Sequence, residues 1–366
     1  MNAESRASNR SPGIDDSGDG TARGSLLPAL ILAAGLAGCA TGGVPPGGFQ
    51  FGVVGDVPYT RQQEQDFPHV LAAMNASDLA FVVHVGDFQA DPREHYRQPQ
   101  TTPLPCTDEK LKATLALLES SRHPIVLTPG DNDWTDCHFV KERRIDPLDE
   151  LGKVRTAFYP PGRSLGQRTM PVASQSQDPR YAQFRENLRW THGGVTFATL
   201  HMVGSNDNFG RTPEMNAEHA ERAAANLAWM REAFALARRD GSLGVVLLTQ
   251  ANPGFESHWT PELLGRYFRN FAGAKPPIPP RPSAYDGFIG ALAEEVARYT
   301  RPVAFIHGDT HLFRIDQPLL DPVTQRTFTH FTRMETFGNP DTRWTRVIVD
   351  PSDPALFTFR AESGKQ

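Results

Sequence analysis

Four aspartates stand directly after a glycine, each at the point where a short apolar segment of the chain ends. They are Asp56, Asp87, Asp131 and Asp309, and His311 follows the last of them by two residues. In an α/β protein the carboxyl ends of parallel strands share one edge of a sheet, where ligands bind. We therefore expect these side chains to converge on one site.

A cluster of carboxylates away from bulk water needs protons or cations, because like charges repel strongly there. Mixed carboxylate and imidazole ligands suit Mn, Fe, Zn or Co better than calcium. The sequence therefore predicts one or two divalent metal ions bound by Asp56, Asp87, Asp131, Asp309 and His311. The glycine before each aspartate is expected to let the backbone turn sharply, so that the carboxylate points inward.

The elements that must position these residues are short strands alternating with helices. Apolar, β-branched segments predict buried strands at 49–55, 80–86, 124–130, 195–202, 245–250, 303–308 and 346–350. Helical spacing of apolar residues lies between them, at 67–74, after a capping Thr107, at 217–238 and at 288–299. This alternation predicts an α/β fold. Residues 152–190 are polar and are interpreted as an insertion over one sheet edge.

The order of these motifs resembles the calcineurin-like metallophosphoesterase superfamily. That superfamily carries Asp-x-His, Gly-Asp, Gly-Asn-His-Asp/Glu, a lone His and Gly-His-x-His after successive strands. Here Gly55-Asp56, "HVGD", "PGDND" and "HGDTH" follow apolar segments in the same order, within about residues 49 to 350. The resemblance implies a four-layer α/β/β/α sandwich. It also implies that a metal-activated hydroxide hydrolyses a phosphomonoester or phosphodiester.

The resemblance assigns a role to each predicted ligand by its position. Asp56 matches the first-motif acid on one metal, Asp87 the bridging carboxylate, and Asp131 the asparagine on the second metal. His311 matches the last histidine, and Asp309 stands where the superfamily has the histidine before it. The site would be a carboxylate-rich variant, with a metal preference shifted toward Mg or Mn.

Three histidines of the superfamily pattern are replaced here, by Pro58, Asn132 and Gln250. The second replacement affects catalysis most, because the histidine of that motif helps to protonate the leaving group. Asn132 cannot donate a proton in that way, and we expect it to face the substrate. His307 and Tyr59 are the candidate general acids by position. The replacements leave an alternative open, a catalytically degenerate envelope lipoprotein that binds metal and a phosphorylated or sugar ligand.

Each motif also has a purely structural explanation. Asp87 could cap a helix, and Asp131 with Asp133 could form an Asx-turn. A structural cell-envelope protein whose acids only cap helices is therefore a further alternative. Within "GDND", Asp133 is otherwise expected to orient a neighbouring group. His84 is expected in the core, and His201 fits the core and the site rim equally well.

The first 38 residues predict export. The apolar stretch "LLPALILAAGLAG" follows Arg23 and is too short to span a bilayer comfortably. It looks like a bacterial lipoprotein signal whose lipobox, residues 36–39, ends at Cys39, the residue that cleavage would leave lipidated. A secretory signal peptide or a short anchor with a chance cysteine is the alternative, and either one also exports the chain.

These features divide the chain into three predicted parts. Residues 1–38 form the signal peptide, residues 39–48 a Gly/Pro-rich tether, and residues 49–360 the metallophosphoesterase domain. The expected location is the periplasmic side of the cell envelope, with a lipid anchor in the membrane. Ala40 after the lipidated cysteine is compatible with sorting to the outer membrane.

Two cysteines remain once Cys39 is assigned to lipid. Cys106 and Cys137 are an even pair in an oxidising compartment, which favours a disulfide. It would close a loop of about 30 residues and stabilise the fold by on the order of 3 kcal/mol. Two unpaired thiols are the alternative.

The charge of the chain bears on the class of ligand. The formal net charge is −5 and the isoelectric point is near 6.2. Stable binding of a nucleic-acid polymer is not expected, because the composition has no basic surplus to match a polyanion. A small phosphorylated substrate fits better.

Overall fold

The computed structural model describes residues 44–259 and 282–364. The predicted signal peptide, the lipobox with Cys39 and residues 39–43 of the predicted tether lie outside the described residues. Across the described part of the chain, no helix combines the length and the apolar character that crossing a membrane requires.

The described strands belong to two sheets. The first sheet contains β1 (Phe49–Val54), β2 (Val82–His84), β3 (Ile125–Leu127), β11 (Trp344–Val349) and β12 (Phe357–Glu362). The second contains β4 (Ala173–Ser174), β5 (Leu188–His192), β6 (Val195–Thr199), β7 (Gly244–Leu248), β8 (Val303–His307), β9 (Arg314–Asp316) and β10 (Phe331–Glu335). Their spatial orders are β12-β11-β1-β2-β3 and β4-β5-β6-β7-β8-β10-β9.

Seven helices lie between the strands of the described part. They are α1 (Arg61–Ala76), α2 (Pro92–Arg97), α3 (Asp108–Glu119), α4 (Pro147–Phe158), α5 (Gly204–Asp207), α6 (Pro213–Asp240) and α7 (Asp286–Arg298). Thr60 and Gln63 form a capping box at the start of α1. Thr107 caps α3 as predicted, its hydroxyl accepting from the backbone N–H of Lys110.

The two sheets pack face to face, with helices on their outer faces. Phe51 of β1 and Phe81, the residue before β2, contact the ring of Phe197 from the second sheet, with 5.4 and 5.2 Å between ring centroids. The second sheet packs its other face on α6 and α7, where Met230 and Leu292 are fully buried in a separate apolar cluster. The predicted four-layer α/β/β/α sandwich is confirmed.

The strands that lead to the site pair in parallel within each sheet, so their carboxyl ends lie at the same edge. β1, β2 and β3 pair in parallel, as do β6, β7, β8 and β10. All seven predicted strands and all four predicted helices are present. The interpretation of residues 152–190 needs correction, because Ala173–Ser174 and the start of β5 extend the second sheet at its edge. The pairing of β5 with β6 is antiparallel, which suits an edge strand with one exposed side.

Candidate metal centre

The aspartates that end β1, β2 and β8 make the backbone turn themselves. Asp56, Asp87 and Asp309 all have left-handed backbones, with φ of 54°, 54° and 81°. The prediction that the preceding glycines supply this turn is wrong for three of the four motifs, since only Gly86 has a positive φ, of 94°. Such conformations are unfavourable for residues other than glycine and are typical of functional sites.

Two of the motif glycines, Gly130 and Gly308, leave room for a carboxylate from another motif. A Cβ atom at Gly130 would lie 1.9 Å from Asp87 Oδ1, and one at Gly308 would lie 2.0 Å from Asp56 Oδ2. Either contact is impossible. Two of the four Gly-Asp pairs, at Gly130 and Gly308, therefore supply an acid to the site and also a gap that admits the acid of a different strand.

Asp87 lies at the centre of a hydrogen-bonded group. Its Oδ2 accepts from the Tyr59 hydroxyl at 2.9 Å and from Gln250 Nε2 at 3.2 Å. Its Oδ1 accepts from the backbone N–H of Asn132 at 3.0 Å. The Asn132 side chain donates to the Tyr59 oxygen at 3.0 Å, so Asn132, predicted to face substrate, contacts the predicted general acid.

Asp131 and Asp309 approach each other across Gly204, which precedes the left-handed segment 205–208. A Cβ atom at Gly204 would lie 2.8 Å from oxygens of both aspartates. Asp309 Oδ2 accepts from the backbone N–H of Asn252 at 2.8 Å, and Asp131 Oδ2 accepts from the Ser205 hydroxyl at 2.8 Å. The carboxylates from β3 and β8 are thus brought to the same edge of the two sheets.

His311 lies between Asp56 and Tyr59. Its Nε2 is 3.7 Å from Asp56 Oδ1 and 3.4 Å from the Tyr59 hydroxyl. Its Nδ1 donates to the carbonyl of Asn339 at 2.7 Å, because a carbonyl can only accept. In neutral His311 the Nε2 lone pair therefore faces the acids. His311 thus lies beside Asp56, whose Oδ1 also accepts from the backbone N–H of Asp309 at 3.0 Å.

Burial dominates the electrostatics of the four aspartates. It raises the pKa of Asp56, Asp87 and Asp309 well above the ordinary range, and the charges of neighbouring acids raise it further. Burial, followed by the charge of Asp136, raises the pKa of Asp131 to about 7. Among the described residues, no Lys or Arg lies within ion-pair distance of these four carboxylates, and burial lowers the pKa of the adjacent His311.

Hydrogen bonds of Asp133 and a disulfide at Cys137 fix the loop after β3, as predicted. Asp133 accepts from the backbone N–H groups of Asp87 at 2.9 Å, Phe88 at 2.9 Å and Gly130 at 2.8 Å. The predicted disulfide between Cys106 and Cys137 is confirmed, with the sulfur of Cys137 3.8 Å from the Asn132 carbonyl. Asp133 therefore orients Asp87, and the disulfide supports the backbone of the loop.

Three histidines named from the sequence lie away from this group. His307 is fully buried on the helix side of β8, where its Nδ1 donates to the Gly308 carbonyl at 2.8 Å. Burial and the charges of nearby arginines lower its pKa well below the ordinary value, so it is neutral and poorly suited to act as a general acid. His84 is in the core as predicted, and His201 also belongs to the core, paired with Glu186 at 2.7 Å.

The donor set fits a divalent cation in its chemistry. It consists of buried oxygen ligands and one imidazole, and Asp56 Oδ2 is buried with no hydrogen-bond partner, as expected of an atom that needs a cation. Within the described ranges, no three His, Cys, Asp or Glu side chains are already grouped to hold one ion. Their oxygens are directed instead at Tyr59, Ser205 and backbone amides. Loading an ion would exchange these hydrogen bonds for metal bonds.

Two contributors were missed from the sequence, Gly204 and Ser205. The only available signal was the polar stretch "GSNDN" after β6, whose asparagines looked suited to a substrate-facing loop. Asn208 is instead fully buried, accepting from the Thr135 hydroxyl at 2.7 Å. The role of Gly204 depends on a contact between distant strands, which the local sequence does not encode.

Comparison with known proteins places this geometry in a known architecture. No family model matches the sequence, and no curated protein matches it. A dimetal phosphatase from Danio rerio matches in structure with a TM-score of 0.54 and 12% identity, over 87% of this chain and 97% of that one. The chain has the metallo-dependent phosphatase-like fold.

Two further solved structures match less well. One is described as PhoD, with a TM-score of 0.49 and 13% identity, over 85% of this chain and 65% of that one. The other is a 5'-nucleotidase from Candida albicans, with a TM-score of 0.39 and 8% identity, over 85% of this chain and 50% of that one. This chain therefore spans less than two thirds of either protein.

Proposed function

We propose that this protein is an exported, metal-dependent phosphoesterase that hydrolyses a small phosphomonoester or phosphodiester. The fold shared with a dimetal phosphatase supports the class of reaction, and the sequence before residue 49 supports export with a lipid anchor at Cys39 on the periplasmic side of the outer membrane. The alternative is a degenerate lipoprotein that keeps the site and has lost turnover.

One observation carries the proposal. Four carboxylates meet at the edge shared by both sheets, the buried Asp56, Asp87 and Asp131 and the half-buried Asp309, and the described residues provide them with no Lys or Arg partner. An arrangement that disfavours its own ionised form is retained only if something bound repays the cost. A divalent cation does so and also binds the phosphoryl group of a substrate.

The residues of the site have two proposed roles, metal binding and positioning of the metal ligands and of Tyr59. Asp56, Asp87, Asp131, Asp309 and His311 would hold one or two ions, Mn, Fe, Zn or Mg, which supply positive charge to the phosphoryl oxygens and acidify water. Gln250 donates to Asp87 and accepts from the backbone N–H of Gly204 at 2.7 Å, so it ties the two sheets together at the site. Asn132 fixes the Tyr59 hydroxyl.

Tyr59 is the better of the two candidate general acids. Its hydroxyl lies within hydrogen-bond distance of Asp87 and Asn132 and 3.4 Å from His311, inside the group of acids. His307 has the opposite surroundings, on the other face of β8. A phenol hydrogen-bonded to a carboxylate can pass its proton to a leaving oxygen that displaces that contact.

The decisive experiment measures hydrolysis of an aryl phosphate with added Mn²⁺ or Mg²⁺. We expect sustained turnover that Asp87→Asn reduces by at least about 100-fold, as removal of a group that organises transition-state charge does. The matched control is Asp146→Asn, because Asp146 caps α4 by accepting from the N–H of Leu148 at 2.9 Å and lies on another part of the surface.

The outcomes separate the alternatives. Equal effects of the two substitutions would mean that Asp87 only caps structure, as in the structural-protein alternative. Tight metal binding without turnover of any phosphoester would identify the degenerate lipoprotein. Loss of turnover in Tyr59→Phe, restored by substrates with a good leaving group, would assign the general acid.

A further inference from the structure

Glu335, the last residue of β10, is a fully buried carboxylate that contacts the loop between β8 and β9. This loop, residues 308–312, carries Asp309 and His311, two of the five proposed ligands. Both have left-handed backbones, with φ of 81° and 59°. Such residues cost about 1 to 2 kcal/mol each and persist only where their surroundings fix them.

Glu335 binds the residues of the loop that alternate with the ligands. Its Oε1 accepts from the Thr310 hydroxyl and from the backbone N–H of Leu312, the latter at 3.2 Å. Asp309 and His311 therefore face the site, while Thr310 and Leu312 are held from the opposite side. One side chain thus restrains the loop at two points that bracket His311.

The other oxygen of Glu335 is anchored in a buried ion network. Its Oε2 accepts from Arg314 Nε at 2.7 Å. Arg314 Nη1 and Arg333 Nη2 both donate to Glu256 Oε1, at 2.9 and 2.6 Å. All four side chains are buried. Because charge-assisted hydrogen bonds are roughly twice as strong as neutral ones, this network holds Glu335 firmly.

We propose that Glu335 is a positioning residue for the metal centre, acting by clamping the loop that carries Asp309 and His311. This inference rests on the proposed function, since it assumes that those residues bind an ion. Groups that orient metal ligands from behind typically contribute 10- to 100-fold to affinity, about the range expected here. Glu335 itself does not contact the substrate or the ion.

Glu256 provides a matched control. It is a buried glutamate of the same network and accepts from the same arginine, yet its contacts are with Arg314 and Arg333 and not with residues 308–312. Glu256→Gln should therefore disturb the network without releasing the loop. Thr310→Val gives a milder test of the clamp, because it removes one donor to Glu335 at nearly constant volume.

The test is Mn²⁺ affinity measured by calorimetry on the full-length protein, with no substrate present. We expect Glu335→Gln to weaken Mn²⁺ binding at least about 10-fold, Thr310→Val to weaken it several-fold, and Glu256→Gln to leave it within about twofold of the wild type. Equal weakening by the two glutamine variants, or no weakening by Glu335→Gln, would overturn the inference.

A second measurement separates the clamp from the proposed function. Hydrogen exchange of the Leu312 amide in metal-free protein should accelerate in Glu335→Gln and not in Glu256→Gln, because the clamp does not depend on the ion. If the wild type binds no Mn²⁺, the metal-dependent function fails and this exchange result still decides whether Glu335 holds the loop. Unchanged exchange in Glu335→Gln would refute the clamp.

Discussion

Asp207 and Glu218 lie against the guanidinium of Arg222, whereas Asp131 and Asp309 face each other across Gly204. In the first region Arg222 Nε donates to Glu218 at 2.6 Å and its Nη2 to the Asp207 carbonyl at 3.0 Å. In the second region the acids receive only hydroxyl and amide donors from the described residues. Carboxylates of this protein are thus paired with an arginine in one region and have only neutral donors in the other.

The pKa values follow this difference. Burial raises the pKa of Asp207 and Glu218, and the positive charge of Arg222 outweighs it, so both end below their ordinary values. Burial also raises the pKa of Asp131, and the charge of Asp136 adds to it, giving a value of about 7. The chain can therefore neutralise a buried acid with its own cations, and at the site it does not.

The difference between the Arg222 group and the aspartate group indicates which of them would bind a ligand. The Arg222 group is complete and stabilises the left-handed segment 205–208, since Arg222 donates to the carbonyl of Asp207 within it at 3.0 Å. The aspartate group receives no such cation from the described residues, which is why we propose that it binds one. Buried charges that lack a partner are a property of functional sites, while complete networks are a property of the scaffold that supports them.

The largest expected effect comes from breaking the complete group. Arg222→Met should lower the free energy of unfolding by about 3 to 5 kcal/mol, because it leaves two buried carboxylates without their partner. Urea unfolding with the slope m measured for each variant checks this. Arg239→Met is the control, since Arg239 lies on the same helix and pairs with Asp240 on the exposed surface. A loss no larger than that of the control would show that Arg222 is not essential to the scaffold.

A second buried pair gives a smaller effect with a defined pH dependence. Glu186 accepts from Arg155 Nη2 at 2.6 Å and from His201 at 2.7 Å. Burial raises its pKa, but Arg155 and His201 outweigh burial and bring it to about 2, below the ordinary 4.5. A depressed acid stabilises the fold above its unfolded pKa and loses this contribution as the pH falls toward the folded value.

Glu186→Gln should therefore be less stable than the wild type by on the order of 2 kcal/mol at neutral pH. The difference should shrink once the pH falls below 4.5. Urea unfolding of both proteins over a series of pH values measures it. A difference that stays constant with pH would mean that the pair acts through packing and not through charge.

The sequence predicted the fold, and it identified the strand ends that carry the candidate ligands, because both depend on local patterns. Apolar segments ending in Gly-Asp identify strand ends, and the carboxyl ends of parallel strands must share an edge. Short or mixed strands such as β9 and β10 were missed, since Arg314, Arg333 and Glu335 interrupt the apolar pattern with charges that are neutralised only in the folded state.

The supporting residues could not be predicted for a related reason. The motif glycines were assigned a turn, but Gly130 and Gly308 instead admit an acid from a distant strand, as Gly308 does for Asp56. His307 was a candidate because it stands two residues before Asp309, yet β8 ends at His307 and the backbone then turns, with a left-handed φ of 81° at Asp309. Contacts between sheets, such as Ser205 with Asp131, have no counterpart in local spacing.

The smallest expected effect is a gain in stability, and it distinguishes the aspartate group from the Arg222 group because substitutions in the latter should lower the free energy of unfolding. In protein treated with a chelator, Asp131→Asn should raise the free energy of unfolding at about pH 8 by on the order of 1 kcal/mol, since it removes one of the repelling charges.

The sign follows from the raised pKa of Asp131. Between the ordinary 3.8 and about 7 the folded state binds more protons than the unfolded state, so wild-type stability falls as the pH rises through this window. The advantage of Asp131→Asn should therefore grow over the same window.

Added Mn²⁺ should reverse this advantage, because the ion stabilises only a protein that binds it. Asp133→Asn is the control, since Asp133 also has a pKa raised to about 7 by burial but accepts from three backbone N–H groups, and its loss should destabilise the protein. If Asp131→Asn destabilises the chelated protein as Asp133→Asn does, Asp131 belongs with the scaffold and not with the metal centre.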